Sequence, residues 1–91
     1  MHIRIQVFGK VQGVAFRYYS KKKADELGLK GTTENQPDGS VVSFVLGQEQ
    51  HVKRFEEWCH SGSPASHVES VEVTILKEES KRVYEDFSIL R

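Results

Sequence analysis

HIRIQVFGKVQGVAFRYYSKKKADELGL, residues 2–29, changes its hydrophobic period twice, and those two changes decide the fold. At its start Ile3, Ile5 and Val7 alternate with Arg4 and Gln6, the two-residue period of a strand covered on one face. Gly9 and Gly13 then bracket Lys10, Val11, Gln12, Val14 and Ala15, a stretch with neither strand nor helix period that reads as a loop. Beyond it the period becomes helical over residues 16–27, with Phe16, Ser20, Ala24 and Leu27 near one face. Gly28 supplies the stop, because glycine accepts the left-handed conformation just past a helix, and Leu29 can then fold back onto Ala24.

Working outward, residues 30–35 and 40–47 flank Gln36-Pro37-Asp38-Gly39, in which proline presets φ and glycine permits a positive one, so the two runs read as a hairpin. Helical spacing returns over residues 48–60 through Val52, Phe55 and Cys59, with Trp58 at the edge, and Ser61-Gly62-Ser63-Pro64 ends it. Val71, Val73 and Ile75 alternate in the next strand, residues 68–76. Val68 is out of phase with them, which predicts a bulge. A polar turn over residues 77–81 leads to a last strand within residues 83–90. Strand, helix, strand, strand, helix, strand and a short last strand is the order of an α+β, ferredoxin-like βαββαβ sandwich. The expectation is one domain over residues 1–91: an antiparallel sheet with both helices on one face, plus the short C-terminal strand.

Composition narrows the function. Of 91 residues, 37% are hydrophobic and 29% charged, which describes a globular chain. The 13 basic and 13 acidic residues leave no net field for long-range capture of nucleic acid or an anionic membrane, so an anion site has to be built locally from a few groups. The longest apolar runs are too short to span a bilayer, and the chain opens on a strand pattern rather than a signal peptide. The lone Cys59 cannot form an internal disulfide, which fits a reducing compartment and predicts a cytoplasmic protein that needs nothing beyond a monomer. His2, His51, His60 and His67 are dispersed, so no metal site is expected. An RNA-binding domain of the same topology would need stacking aromatics on the central strands, and residues 41–46 carry only Phe44.

The loop between the first strand and helix is where chemistry can be placed. Successive backbone N–H groups at the positive end of a helix favour an anion, and Arg17, just inside that helix, offers a planar fork matched to two phosphate oxygens. The spacing alone equally allows two glycines that only permit a tight turn and a solvated Arg17.

Val11-Gln12-Gly13-Val14-Ala15-Phe16-Arg17 resembles the acylphosphatase signature V-Q-G-V-x-F-R. The likeness continues through Leu27-Gly28-Leu29-x-Gly31 and Asn35-x-Pro37-Asp38-Gly39 to residues 55–58 and 87–89. The resemblance implies hydrolysis of small acyl phosphates to carboxylate and inorganic phosphate, without metal or cofactor. It further implies that the backbone of Gly9, Lys10, Val11, Gln12, Gly13, Val14 and Ala15 cradles the phosphate, Arg17 clamps it and Asn35 orients the attacking water. A terminal carboxylate beside the arginine is also expected from related enzymes. Asn35 suits its role, since its amide carries both an acceptor for water and a donor for phosphate. Glu34 points to the other face of its strand, so no general base is evident, and the substrate phosphate is expected to take the proton. Thr32-Thr33-Glu34 departs from the family's more usual tryptophan, valine and basic residue, which predicts altered substrate binding.

Overall fold

The computed structural model describes residues 1–77 and 83–91. Five strands form one sheet in the order β4-β1-β3-β2-β5: β1 His2–Lys10, β2 Lys30–Asn35, β3 Val41–Leu46, β4 His67–Ile75 and β5 Phe87–Leu90. Helix α1, Phe16–Glu26, lies over β2 and β5, while α2, Glu49–Ser61, lies over β1 and β4 on the same face. The expected ferredoxin-like sandwich is therefore present. Most of the polar turn expected over residues 77–81 falls outside the described residues.

Strand alternation sorts the side chains as the period requires. Ile3, Ile5 and Val7 of β1 pair with Val45, Ser43 and Val41 of β3, and all six face the helices. They are completed by Val11, Phe16, Ala24, Leu29, Val52, Phe55, Cys59 and Phe87, all essentially buried. Burial pushes the Cys59 thiol far up, so this cysteine behaves as a small apolar side chain rather than a nucleophile.

Two local expectations hold to the residue. The Leu29 amide donates to Ala24 O (2.9 Å) and the Gly28 amide to Asp25 O (3.2 Å), the paired bonds of a Schellman stop, with Gly28 at φ 68°. The bulge lies at Glu69, since Phe8 pairs with Ser70 but Gly9 with Val68. Gly9 has φ 126°, and a Cβ there would lie 2.1 Å from His67 O, so only glycine lets the two backbones meet.

The strands β4, β1, β3 and β2 are antiparallel to their neighbours, as expected. The short last strand, β5, whose direction the sequence left open, runs parallel to β2, from Gly31↔Phe87 to Glu34↔Leu90, so the five-stranded sheet is mixed. β4 ends beside the start of β1 at one edge of the sheet, and β5 occupies the opposite edge. At Phe87 the chain enters that far edge in the direction of β2. The last strand also begins at Phe87 rather than near Val83, and Tyr84 in the connection meets His2, with Oη 2.9 Å from Nε2.

Candidate active site

β1 and β2 are both antiparallel to β3, so the loop after β1 and the hairpin after β2 emerge at the same end of the sheet. Between them, with β5 alongside, lies a cleft of about 350 Å³. Its wall takes Val11, Gly13 and Ala15 from the loop and Phe16, Arg17 and Tyr18 from the first turn of α1. Asn35 closes it from β2, and Ile89 and Arg91 from the C-terminal segment. Its described lining residues include Arg17 and Arg91 and no Asp or Glu, so a chain of zero formal charge gathers basic residues at this hollow.

The pairing of β1 with β4 ends at Lys10↔His67, and the backbone beyond leaves the ladder. Gly13 and Ala15 both take positive φ, 75° and 61°, and Ala15 is the N-cap of α1. Alanine has no side chain to cap a helix, and the first-turn residues Phe16, Arg17 and Tyr18 border the cleft. The first amides of a helix have no partner within it, and here the residues that carry them border the cleft. Left-handed alanine costs about 1–2 kcal/mol, and neighbouring groups hold it in place.

Those groups come from outside the loop. The Gln12 side chain turns away from the cleft, and its Nε2 donates to Gln36 O (2.8 Å) and Ser40 O (2.9 Å), joining loop to hairpin. On the other side Ser63 Oγ donates to Val14 O at 2.8 Å. Arg17 Nη1 donates to Leu90 O (2.9 Å), and one turn later Lys21 Nζ donates to Phe87 O (2.8 Å) while pairing with Asp25. The expected partner of Arg17, a terminal carboxylate, is replaced in its observed bond by this backbone carbonyl. Arg17 itself borders the cleft, and this bond uses one of the five N–H donors of its guanidinium.

Asn35 Oδ1 is a buried acceptor without a hydrogen-bond partner, and its residue borders the cleft. Leaving such an atom unpaired costs about 1–3 kcal/mol, a cost relieved when a donor such as water meets it.

Of the nine residues singled out from sequence, Val11, Gly13, Ala15, Arg17 and Asn35 converge on the cleft. Gly9 and Lys10 belong to β1, paired with Val68 and His67, and Gln12 and Val14 serve the loop through their bonds to the hairpin and to Ser63. Arg91, the residue whose terminal carboxylate was expected near Arg17, does border the cleft; Tyr18 and Ile89 were not anticipated, and neither was Ser63. Tyr18 could have been found from its place in the first helical turn beside Arg17, whereas β5 and Ser63 carry no local signal.

The departure at Thr32-Thr33-Glu34 proves remote from the cleft. Thr32 and Glu34 lie on the sheet's outer face opposite Phe44 and Val42, and Thr33 is buried, accepting a hydrogen bond from Ser43 Oγ (2.9 Å). Alternation places only Thr33 and Asn35 on the inner face, so the expectation of altered substrate binding loses its basis.

Architecture and cleft together define a ferredoxin-like sandwich with a cleft between the loop after β1 and the hairpin after β2. The acylphosphatase family model matches residues 3–89. An acylphosphatase of Shewanella amazonensis is 44% identical over 87 residues, 96% of this chain and 93% of that one. The crystal structure of acylphosphatase from Bacillus subtilis superposes with a TM-score of 0.91 at 38% identity, covering 99% of this chain and 98% of that one. That of an acylphosphatase from Coxiella burnetii gives 0.88 at 36%, covering 98% and 90%. The chain belongs to the acylphosphatase family, whose reaction is the metal-independent hydrolysis of acyl phosphates.

Proposed function

We propose that this cleft hydrolyses small acyl phosphates, with the phosphoryl group held by the loop backbone from Val11 to Ala15, the first amides of α1 and Arg17. Asn35 Oδ1 accepts a hydrogen bond from the attacking water. The observation that carries this reading is the unpartnered Asn35 acceptor in one cleft with Arg17 and an uncapped helix N-terminus. A water held by Asn35 lies beside a phosphoryl group whose oxygens face the donors. The water oxygen bonds to phosphorus as the phosphorus–carboxylate oxygen bond breaks, and the electron pair leaves with the carboxylate. With no carboxylate side chain in the cleft wall, the water proton passes to a phosphoryl oxygen of the substrate. Phosphoryl transfer of this kind is catalysed mostly by positioning and charge stabilisation, which a small domain can supply.

The acyl half of the substrate rests at the rim formed by Tyr18, Ile89 and Arg91. We also take the enzyme to act as a monomer. No helix of the described residues is long and apolar enough to cross a membrane, and the lone, buried Cys59 suits the reducing cytoplasm in which we place it.

The test is hydrolysis of benzoyl phosphate in EDTA by the wild-type protein and its Arg17→Ala and Asn35→Ala forms. Each substitution is expected to lower kcat about a hundredfold or more while leaving the fold intact. Unchanged rates in folded variants would remove the assigned roles, and an inert wild-type protein would remove the activity.

A further inference from the structure

Ser63 lies 49 residues from Val14 in sequence, on the turn between α2 and β4, yet is only 3% exposed and bonded to the phosphate loop. We infer that Ser63 is a positioning residue for phosphate capture: by holding the Val14 carbonyl it aims the Ala15 amide into the cleft. The inference rests on the phosphate site described above.

The geometry follows from the peptide plane. In a trans peptide the carbonyl of one residue and the N–H of the next point in opposite directions, and the chain contains no cis bond among its described residues. Val14 O is drawn outward to Ser63 Oγ, at 2.8 Å, and Ala15 borders the cleft whereas Val14 does not. The amide between them is therefore turned inward. Ala15 is pinned on its other side too, since its carbonyl accepts the Tyr19 amide at 3.1 Å in the first bond of α1. Held at both ends, Ala15 stays at φ 61°, a left-handed conformation that alanine seldom keeps unaided.

The Ser63 turn is itself braced. The Gly62 amide donates to Trp58 O (2.8 Å), while the Ser66 amide (3.0 Å) and hydroxyl (2.7 Å) both donate to Ser63 O. A Cβ at Gly62 would meet the Phe16 ring at 3.0 Å, so the turn packs directly on the first residue of α1. A hydroxyl on this rigid turn is a fixed reference for the loop. Nothing in its chemistry contacts the reacting atoms.

The experiment compares wild type with Ser63→Ala and Ser63→Thr for benzoyl phosphate hydrolysis and for competitive inhibition by inorganic phosphate. Urea denaturation checks each fold. Loss of one aimed amide weakens ground state and transition state together, so in Ser63→Ala both KM and the phosphate inhibition constant should rise about five- to tenfold with kcat nearly unchanged. Threonine, which keeps the hydroxyl, should restore both. In amide NMR the Ala15 resonance should move on phosphate addition in wild type and move less in Ser63→Ala. If alanine prevents folding, Ser63→Cys, a similar volume with a weaker donor, should show the same rise. A folded Ser63→Ala or Ser63→Cys protein with wild-type KM and phosphate affinity overturns the inference alone. A wild-type protein that neither hydrolyses benzoyl phosphate nor binds phosphate overturns it together with the parent reading.

Discussion

Two loops leave the same end of the sheet and differ in how their polar groups are satisfied. The hairpin over residues 36–39 closes on itself: the Gln36 amide donates to Ser40 O (2.8 Å), the Gly39 amide to Gln36 O (3.1 Å), and Asp38 accepts from both the amide and hydroxyl of Ser40. The loop over residues 11–15 is instead held from outside, by Gln12 reaching the hairpin and Ser63 reaching Val14. A turn that consumes its own donors has none to offer a ligand. A loop braced through its side chains and carbonyls keeps its amides for an anion, at the cost of left-handed Ala15. The difference separates a turn closed on itself from one braced by its neighbours.

The comparison breaks most severely where the open loop begins. Gly9→Ala forces a Cβ against His67 O at φ 126°, and should lower stability by about 3–4 kcal/mol in urea denaturation, combining backbone strain with overpacking. A loss under about 1 kcal/mol would show that the β-bulge can move aside.

Gln12→Ala is the next largest. It strips a donor from two carbonyls and frees the loop from the hairpin, so stability should fall by about 1–2 kcal/mol and KM rise severalfold. Gln36→Ala is the matched control. That side chain makes only an exposed 3.4 Å contact with Glu34 O, and its loss should change neither quantity measurably. Equal effects from the two glutamines would erase the distinction between the loops.

The smallest effect belongs to the self-contained turn. The Ser40 hydroxyl, then its amide, holds the Asp38 carboxyl below its ordinary value of 3.8, although the group is fully exposed. A carboxylate depressed in the folded state stabilises it above the ordinary value, and that stabilisation disappears as pH falls through the lowered one. Asp38→Asn should therefore reduce stability slightly at neutral pH and flatten the acid limb below about pH 4, with hydrolysis at pH 7 unaffected. A loss of activity at pH 7 would mean that the hairpin also shapes the cleft.

Much of this molecule is legible along the chain because the deciding interactions are local. The two-residue period of Ile3, Ile5 and Val7, the Gly28 stop and the phase slip at Val68 each depend on neighbours a few residues away, and each is found where it was read. Arg17 and Asn35 were singled out through a motif, and both border the cleft. The inward aim of Asn35 follows from alternation. The same alternation, applied to Thr32 and Glu34, removes them from the cleft.

Other features depend on which surfaces meet once the sheet has closed. No period in residues 83–91 says that β5 will cross to the far edge and run parallel to β2, bringing the Leu90 carbonyl to Arg17 and Ile89 to the rim. Neither do Gln12 and Ser63 announce partners 24 to 49 residues away, because a side-chain donor can serve many acceptors and only packing selects one. The sequence by itself determined the elements, their buried faces and the chemical groups able to hold a phosphate, since these follow from periodicity, turn chemistry and residue type. Tertiary structure alone decided the parallel fifth strand and the outside supports of the loop, since each is a long-range contact that exists only after the chain has folded, and it decided the unpartnered Asn35 acceptor, since burial there depends on what packs around it.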